Sequence, residues 1–142
     1  LVERDARIAD LVAAMDTDTK SFQKIIETVF NYWVSPECNV SGIQSWKDYH
    51  GGVVSAFENA MASAASGTDT AIFTSGGTIA TIVGHVLKLT SDRVYEFYEP
   101  VFNCSITRII FNSRKCSLST FNDVGHLHLM SAQLNERLVT YR

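Results

Sequence analysis

The stretch "TAIFTSGGTIATIVGHVLKL", Thr70 to Leu89, constrains this chain more than any other. A short apolar run meets a Ser-Gly-Gly turn, and an apolar segment of helical length follows. Thr70 to Thr74 reads as a short buried strand and Thr78 to Leu89 as a buried helix, an α/β unit in which a parallel strand is expected. Such a junction has a physical use. A helix N-terminus offers unpaired N–H groups and partial positive charge, and glycine lets the backbone approach a ligand closely. Ser75 stands at the carboxyl end of the strand, where open α/β sheets place their ligands. The Walker lysine pattern and G-x-G-x-x-G are absent, and Phe73 stands where G-x-S-x-G needs its first glycine. On spacing alone, an anion site and a plain tight turn both remain open.

The rest of the chain supplies a frame for that junction. Ile8, Leu11, Val12 and Met15 recur at helical spacing, and "DTDTKS" interrupts them with capping residues. A second helix carries Phe22, Ile25, Ile26, Val29, Phe30 and Trp33 on one side. "VSPECNVSGIQS" is a loop, and a third helix starts near Ser45 with Trp46, Tyr49, Val53, Phe57 and Ala64 in period. Gly51 and Gly52 weaken its middle, each costing about 1 kcal/mol relative to alanine. After the glycine turn, Asp92 to Tyr98 reads as a short helix stopped by Pro100. "CSITRIIF" (Cys104 to Phe111) and "CSLSTF" (Cys116 to Phe121) read as antiparallel strands joined by an "NSRK" turn. The tail "RLVTYR" fits a final edge strand or an arm.

Composition narrows the function classes. With 142 residues, 46% of them apolar and 19% charged, the chain is expected to fold around one core rather than remain disordered. A net charge of −3 gives no electrostatic case for nucleic acid or an anionic membrane. No run approaches bilayer length and no basic-then-apolar leader opens the chain, so a cytoplasmic protein is expected. Three cysteines, Cys38, Cys104 and Cys116, without C-x-x-C spacing argue against a zinc site or a disulfide framework. Cys104 and Cys116 could face each other across the hairpin, but buried free thiols are expected.

Four histidines invite catalytic and metal readings. His85 falls on the buried helix and reads as a satisfied core residue, while His50 lies on the polar flank of the third helix. His126 follows the Asn-Asp turn of "FNDVGHLHL", and His126 and His128 would share a face if extended. A third ligand is not evident, so a structural role is favoured and no metal or other cofactor is expected. A Ser/His/Asp hydrolase has weak support, since one sequence does not bring a histidine to Ser75. Glu3, Asp5, Asp10 and Asp16 read as solvated helix charges. Arg108 and Arg142 are the cations to watch for anion contact.

Four pieces in order, "AIFTSGGTIATIVGHVL", "NCSITRIIF", "FNDVGHL" and "LVTYR", resemble the C-terminal half of the histidine phosphatase, or phosphoglycerate-mutase-like, superfamily. "IQSWKDYHGGV" upstream is similar to the family's helix segment, in which a Glu-Ser pair precedes an aromatic and an arginine. The resemblance covers Ser45 to Arg142 and weakens before Phe22. It implies a three-layer α/β/α fold with a central, mostly parallel sheet. It also implies phosphoryl transfer to a histidine in an Arg-His-Gly motif after the first strand, inside a cationic phosphate pocket, with an acid protonating the leaving oxygen.

The sequence departs from that pattern in three places. Arg-His-Gly occurs nowhere, so residues 1–142 are expected to form a single, partial domain that lacks the nucleophile-bearing strand. Ser75 stands where the family has its second histidine, as in a branch with Thr-Ser-Gly-Gly at this point. Gln44-Ser45 replaces Glu-Ser, and Gly52 falls where the arginine is due, so the acid role passes to Glu3 as a weak candidate. The resemblance then implies that Ser75, Gly76 and Gly77 bind the phosphate of a small phosphorylated metabolite, with Asn122 and His126 in a supporting turn. The expected partners are the missing N-terminal segment of the same protein and, as a further possibility, a second copy of the chain. A catalytically degenerate phosphate-binding or interaction domain is the alternative.

Overall fold

Asp18 shows how local chemistry sets the first helices. Its extended backbone ends one turn, and its carboxylate accepts from the backbone N–H of Lys20 at 3.2 Å and of Ser21 at 2.9 Å, capping α2 (Thr19–Val34). The Ser21 hydroxyl adds a third hydrogen bond at 2.6 Å, and chiefly through it the Asp18 carboxyl is held below its ordinary 3.8. The computed structural model describes residues 6–14 and 18–141. It divides into two compact units, Leu1–Trp46 and Lys47–Arg142.

In the first unit, α1 (Ala6–Ala14) packs on α2 as a helical pair, as the spacing of its apolar residues predicts. Phe30, Trp33 and Trp46 meet edge to face, with ring centroids 5.2–6.0 Å apart. The Trp33 indole N–H donates to the Gln44 carbonyl at 2.8 Å, which fastens the expected loop to this aromatic group. Met15 and Asp16 lie outside the described residues.

The second unit is organised around α4 (Gly76–Leu87), where Ala80 to Gly84 are all buried. Phe57 of α3 (Trp46–Ser63), Val94, Tyr95 of α5 (Tyr95–Tyr98) and Val101 complete the buried apolar set. A short 3₁₀ turn, Ser91–Arg93, leads into α5, where the sequence predicts one short helix. Strands β1 (Ile106–Phe111) and β2 (Cys116–Asp123) form the predicted antiparallel hairpin. The Asn112 side chain accepts from the N–H groups of Arg114 and Lys115, which closes the turn.

Four expectations change. Thr70 to Thr74 belongs to no ladder and is exposed, with Phe73 at 97% of its full accessibility. A strand exists only through its neighbour's hydrogen bonds. The sheet among the described residues has just the two strands β1 and β2, antiparallel, rather than a central parallel sheet. Residues of "GHLHL" do not alternate in a strand but open α6 (Gly125–Leu134), so His126 and His128 do not share an extended face. The free thiols are not buried as expected: Cys104 is exposed and precedes β1, Cys38 is half-buried, and Cys116 is half-buried with its thiol 3.8 Å from the Met61 sulfur. The tail behaves as an arm: the backbone N–H of Asn103 donates to the Thr140 carbonyl, and the Tyr141 hydroxyl donates to the Glu99 carbonyl.

Among the described glycines the tightest approach is at Gly84, where an added Cβ would come within 2.9 Å of Val94 Cγ2. Val94 is 3% exposed, and its branched side chain is held at χ1, so it has little room to yield. Overpacking of this kind costs about 1–3 kcal/mol, against about 1 kcal/mol gained from alanine's helix preference. Gly84→Ala is therefore expected to lower the melting temperature by several degrees, measured by thermal circular dichroism. An unchanged or higher value would show that α4 and the Val94 turn are not pressed together.

Candidate phosphate-binding turn at the start of α4

Ser75 closes the extended segment and opens α4. Its backbone is extended (φ −83°, ψ 160°), and its carbonyl accepts the first helical bond from Ile79 N at 3.0 Å. Its side chain makes no capping hydrogen bond. Ser75 Oγ lies instead 3.3 Å from Thr78 Oγ1, so the N–H groups of the first turn are not taken up by a side-chain cap. That leaves an exposed hydroxyl beside a set of backbone donors and the positive end of a helix dipole, an arrangement suited to an anion.

The two glycines sit under side chains from other elements. A Cβ on Gly76 would touch Val101 at 3.5 Å and Tyr98 at 3.7 Å, and one on Gly77 would lie 3.3 Å from the Tyr49 hydroxyl. Tyr49 also places its hydroxyl 3.3 Å from Thr78 Oγ1. The turn is thus packed between α3, α5 and the Pro100–Phe102 segment. Thr78 had a local signal, since three residues beyond Ser75 on a helical turn brings the two hydroxyls together. Tyr49 had none, because it arrives from another helix.

Asn122 reaches the same turn indirectly. Its backbone is left-handed (φ 56°), a conformation asparagine tolerates better than most residues. The side-chain carbonyl accepts from Phe102 N at 2.9 Å, and the amide donates to the Pro100 carbonyl at 2.7 Å. Both bonds flank Val101, the residue against Gly76. Thr107 Oγ1 accepts from the Asn122 backbone N–H at 3.2 Å, tying the clamp to β1. The Asn122 side chain therefore shapes one wall of the turn and has its own polar groups engaged in doing so.

The other sequence-derived residues fall elsewhere. His126 is half-buried in the first turn of α6, and no hydrogen bond joins it to Ser75. His85, in the last turn of α4, is half-buried and lies 3.6 Å from the Glu58 carboxylate rather than sealed in the core. Arg108 on β1 is exposed and 4.0 Å from Asp69. Glu3, Asp5 and Arg142 lie outside the described residues, while Asp10 is exposed on α1. Among the described residues no cluster of three or more His, Cys, Asp or Glu side chains is arranged to hold a metal. No described helix is long and apolar enough to cross a membrane.

Compared with known proteins, residues 12–124 match the family model of the histidine phosphatase superfamily (branch 1). Comparison with curated proteins gives no match, and comparison with solved structures gives none.

The Asn122 clamp predicts a graded response. Asn122→Ala loses two side-chain hydrogen bonds and puts a Cβ residue with no local polar compensation in the left-handed region, an expected loss of about 2–3 kcal/mol by urea unfolding. Asn122→Gly removes the same hydrogen bonds but relieves the backbone, so its loss should be smaller by about 1 kcal/mol. Equal losses would mean that φ contributes nothing at this position.

Proposed function

The chain belongs to the histidine phosphatase superfamily, and on that premise we propose that it takes part in phosphoryl transfer from a small phosphorylated metabolite in the cytoplasm. The observation that carries the reading is the start of α4: an exposed Ser75 hydroxyl that does not cap its own helix, next to the backbone donors of Gly76 and Gly77. In this reading those three residues hold the phosphate. Asn122 supports the wall formed by Val101, and His126 supports the turn after β2. Glu3 is the candidate acid for the leaving oxygen. Serine supplies a hydrogen bond where relatives carry a histidine, but no positive charge, so the helix terminus has a larger share of the anion's stabilisation.

The nucleophile in this proposal comes from another segment of the same protein, because the sequence holds no Arg-His-Gly. The exposed Thr70–Thr74 segment supports such a partner. Ile72 is 52% exposed and Phe73 almost fully so, and their backbone enters no ladder. An unpaired extended segment next to a free strand edge is a template for another strand. Thr70, Ile72 and Thr74 line a groove of about 140 Å³ with Thr107, Ile109 and Phe111 of β1, over Phe57 and Ile82. A strand seated between Thr70–Thr74 and β1 and pairing with both would extend the small antiparallel sheet toward the three-layer α/β/α arrangement of the family, within a single domain.

Two experiments test these proposals. Brief reaction of the full-length protein with a labelled phosphomonoester is expected to trap an acid-labile, base-stable phosphohistidine, with Ser75→Ala weakening phosphate binding about tenfold through loss of a hydrogen bond to a charged group. A folded full-length protein that forms no phosphoenzyme and releases no phosphate across a metabolite panel, while still binding phosphate, would favour the degenerate binding domain. For the strand, amide hydrogen exchange at residues 70–74 should be fast in residues 1–142 alone and slowed at least tenfold in the full-length protein. Fast exchange in both would remove the partner strand, and protection that depends on protein concentration would assign the partner to a second copy.

A further inference from the structure

We propose that Tyr49 is a positioning residue for the Ser75 phosphate contact, acting through the hydroxyl of Thr78; the inference rests on the phosphate-binding reading of Ser75. Three hydroxyls form a chain. Tyr49 Oη is 3.3 Å from Thr78 Oγ1, which is 3.3 Å from Ser75 Oγ. Tyr49 is half-buried and Ser75 exposed, so the chain runs from the packed side of the turn to its open side. The phenol also lies over the first turn of α4, 3.3 Å from the position a Cβ on Gly77 would occupy, a tight approach that the glycine leaves open.

The order of proton donation along this chain matters. Each hydroxyl has one proton to give and lone pairs to accept with. A phenol O–H is a stronger hydrogen-bond donor than an aliphatic hydroxyl, which sets the direction of the chain. Donation from Tyr49 to Thr78 turns the Thr78 proton toward Ser75, and the Ser75 proton is left to point outward at an anionic oxygen. Successive donation polarises each link, which strengthens the last donor. Without the phenol the Thr78 oxygen loses that donor and competes with the ligand for the Ser75 proton. A neutral serine is thereby held as a directed donor in a position where proton orientation would otherwise be undetermined.

Calorimetric titration of inorganic phosphate into the full-length protein tests the chain as a double-mutant cycle. Tyr49→Phe and Thr78→Val are each expected to weaken binding about two- to tenfold, the range of one neutral hydrogen bond. In a Ser75→Ala background neither substitution should weaken binding further, an outcome that a packing role for Tyr49 does not produce. A loss from Tyr49→Phe that is the same with and without Ser75 would overturn the chain and leave the phosphate site standing. If Tyr49→Phe does not fold, Thr78→Val, which keeps the side-chain shape, completes the same cycle. Phosphate binding that Ser75→Ala leaves unchanged overturns both the Ser75 contact and the positioning role built on it.

Discussion

The burial of α4 is the constraint on which the second unit depends. From Ala80 to Gly84 the helix presents no residue to solvent, and Gly84 lets Val94 press against its backbone. A helix so enclosed cannot slide or rotate without opening cavities in a core packed to crystal-like density. The position of Ser75 follows from contacts made two turns away, because the helical backbone between them is stiff.

Placement at a helix terminus also determines what kind of chemistry the turn can support. A serine and two glycines bring no charge, so electrostatic attraction for an anion must come from the helix end and from oriented hydroxyls. Such contributions are modest singly and fall off within one turn. They favour a ligand held close to the backbone, which two glycines permit. Covalent chemistry needs a stronger nucleophile than this turn contains, because Ser75 has a threonine hydroxyl as its neighbour and no base. In the proposed reading the turn orients a phosphate, and bond-making falls to residues beyond it.

Much of the frame was legible in the sequence where the signal was local. Helices α2, α3 and α4 follow the period of their apolar residues, and the Asn112 turn follows from the bonding habits of asparagine. Thr70–Thr74 reads as a strand because its composition is that of one, but strand formation is a property of a pair, and composition says nothing about where the partner is. The alternation in "HLHL" misleads for a related reason. Four residues fit either period, and the run belongs to a helix of ten residues, Gly125–Leu134. In the candidate site, the Ser-Gly-Gly turn carries a local sequence signal. The residues that shape it, Tyr49 on α3 and Val101 under the Asn122 clamp, lie far from it in sequence and carry no local mark.

In the proposed reading, the same distinction accounts for a serine where the family resemblance implies a histidine. An imidazolium brings its own charge and needs mainly to be placed. A hydroxyl can turn about its C–O bond and serves as a donor only if its proton is directed. Direction has to come from neighbouring groups, and the Tyr49 hydroxyl reaches Thr78 Oγ1 at 3.3 Å on the first turn of α4. In that reading a neutral hydroxyl in place of a charged group shifts the requirement from electrostatics to packing, and places it on the buried helix of the unit.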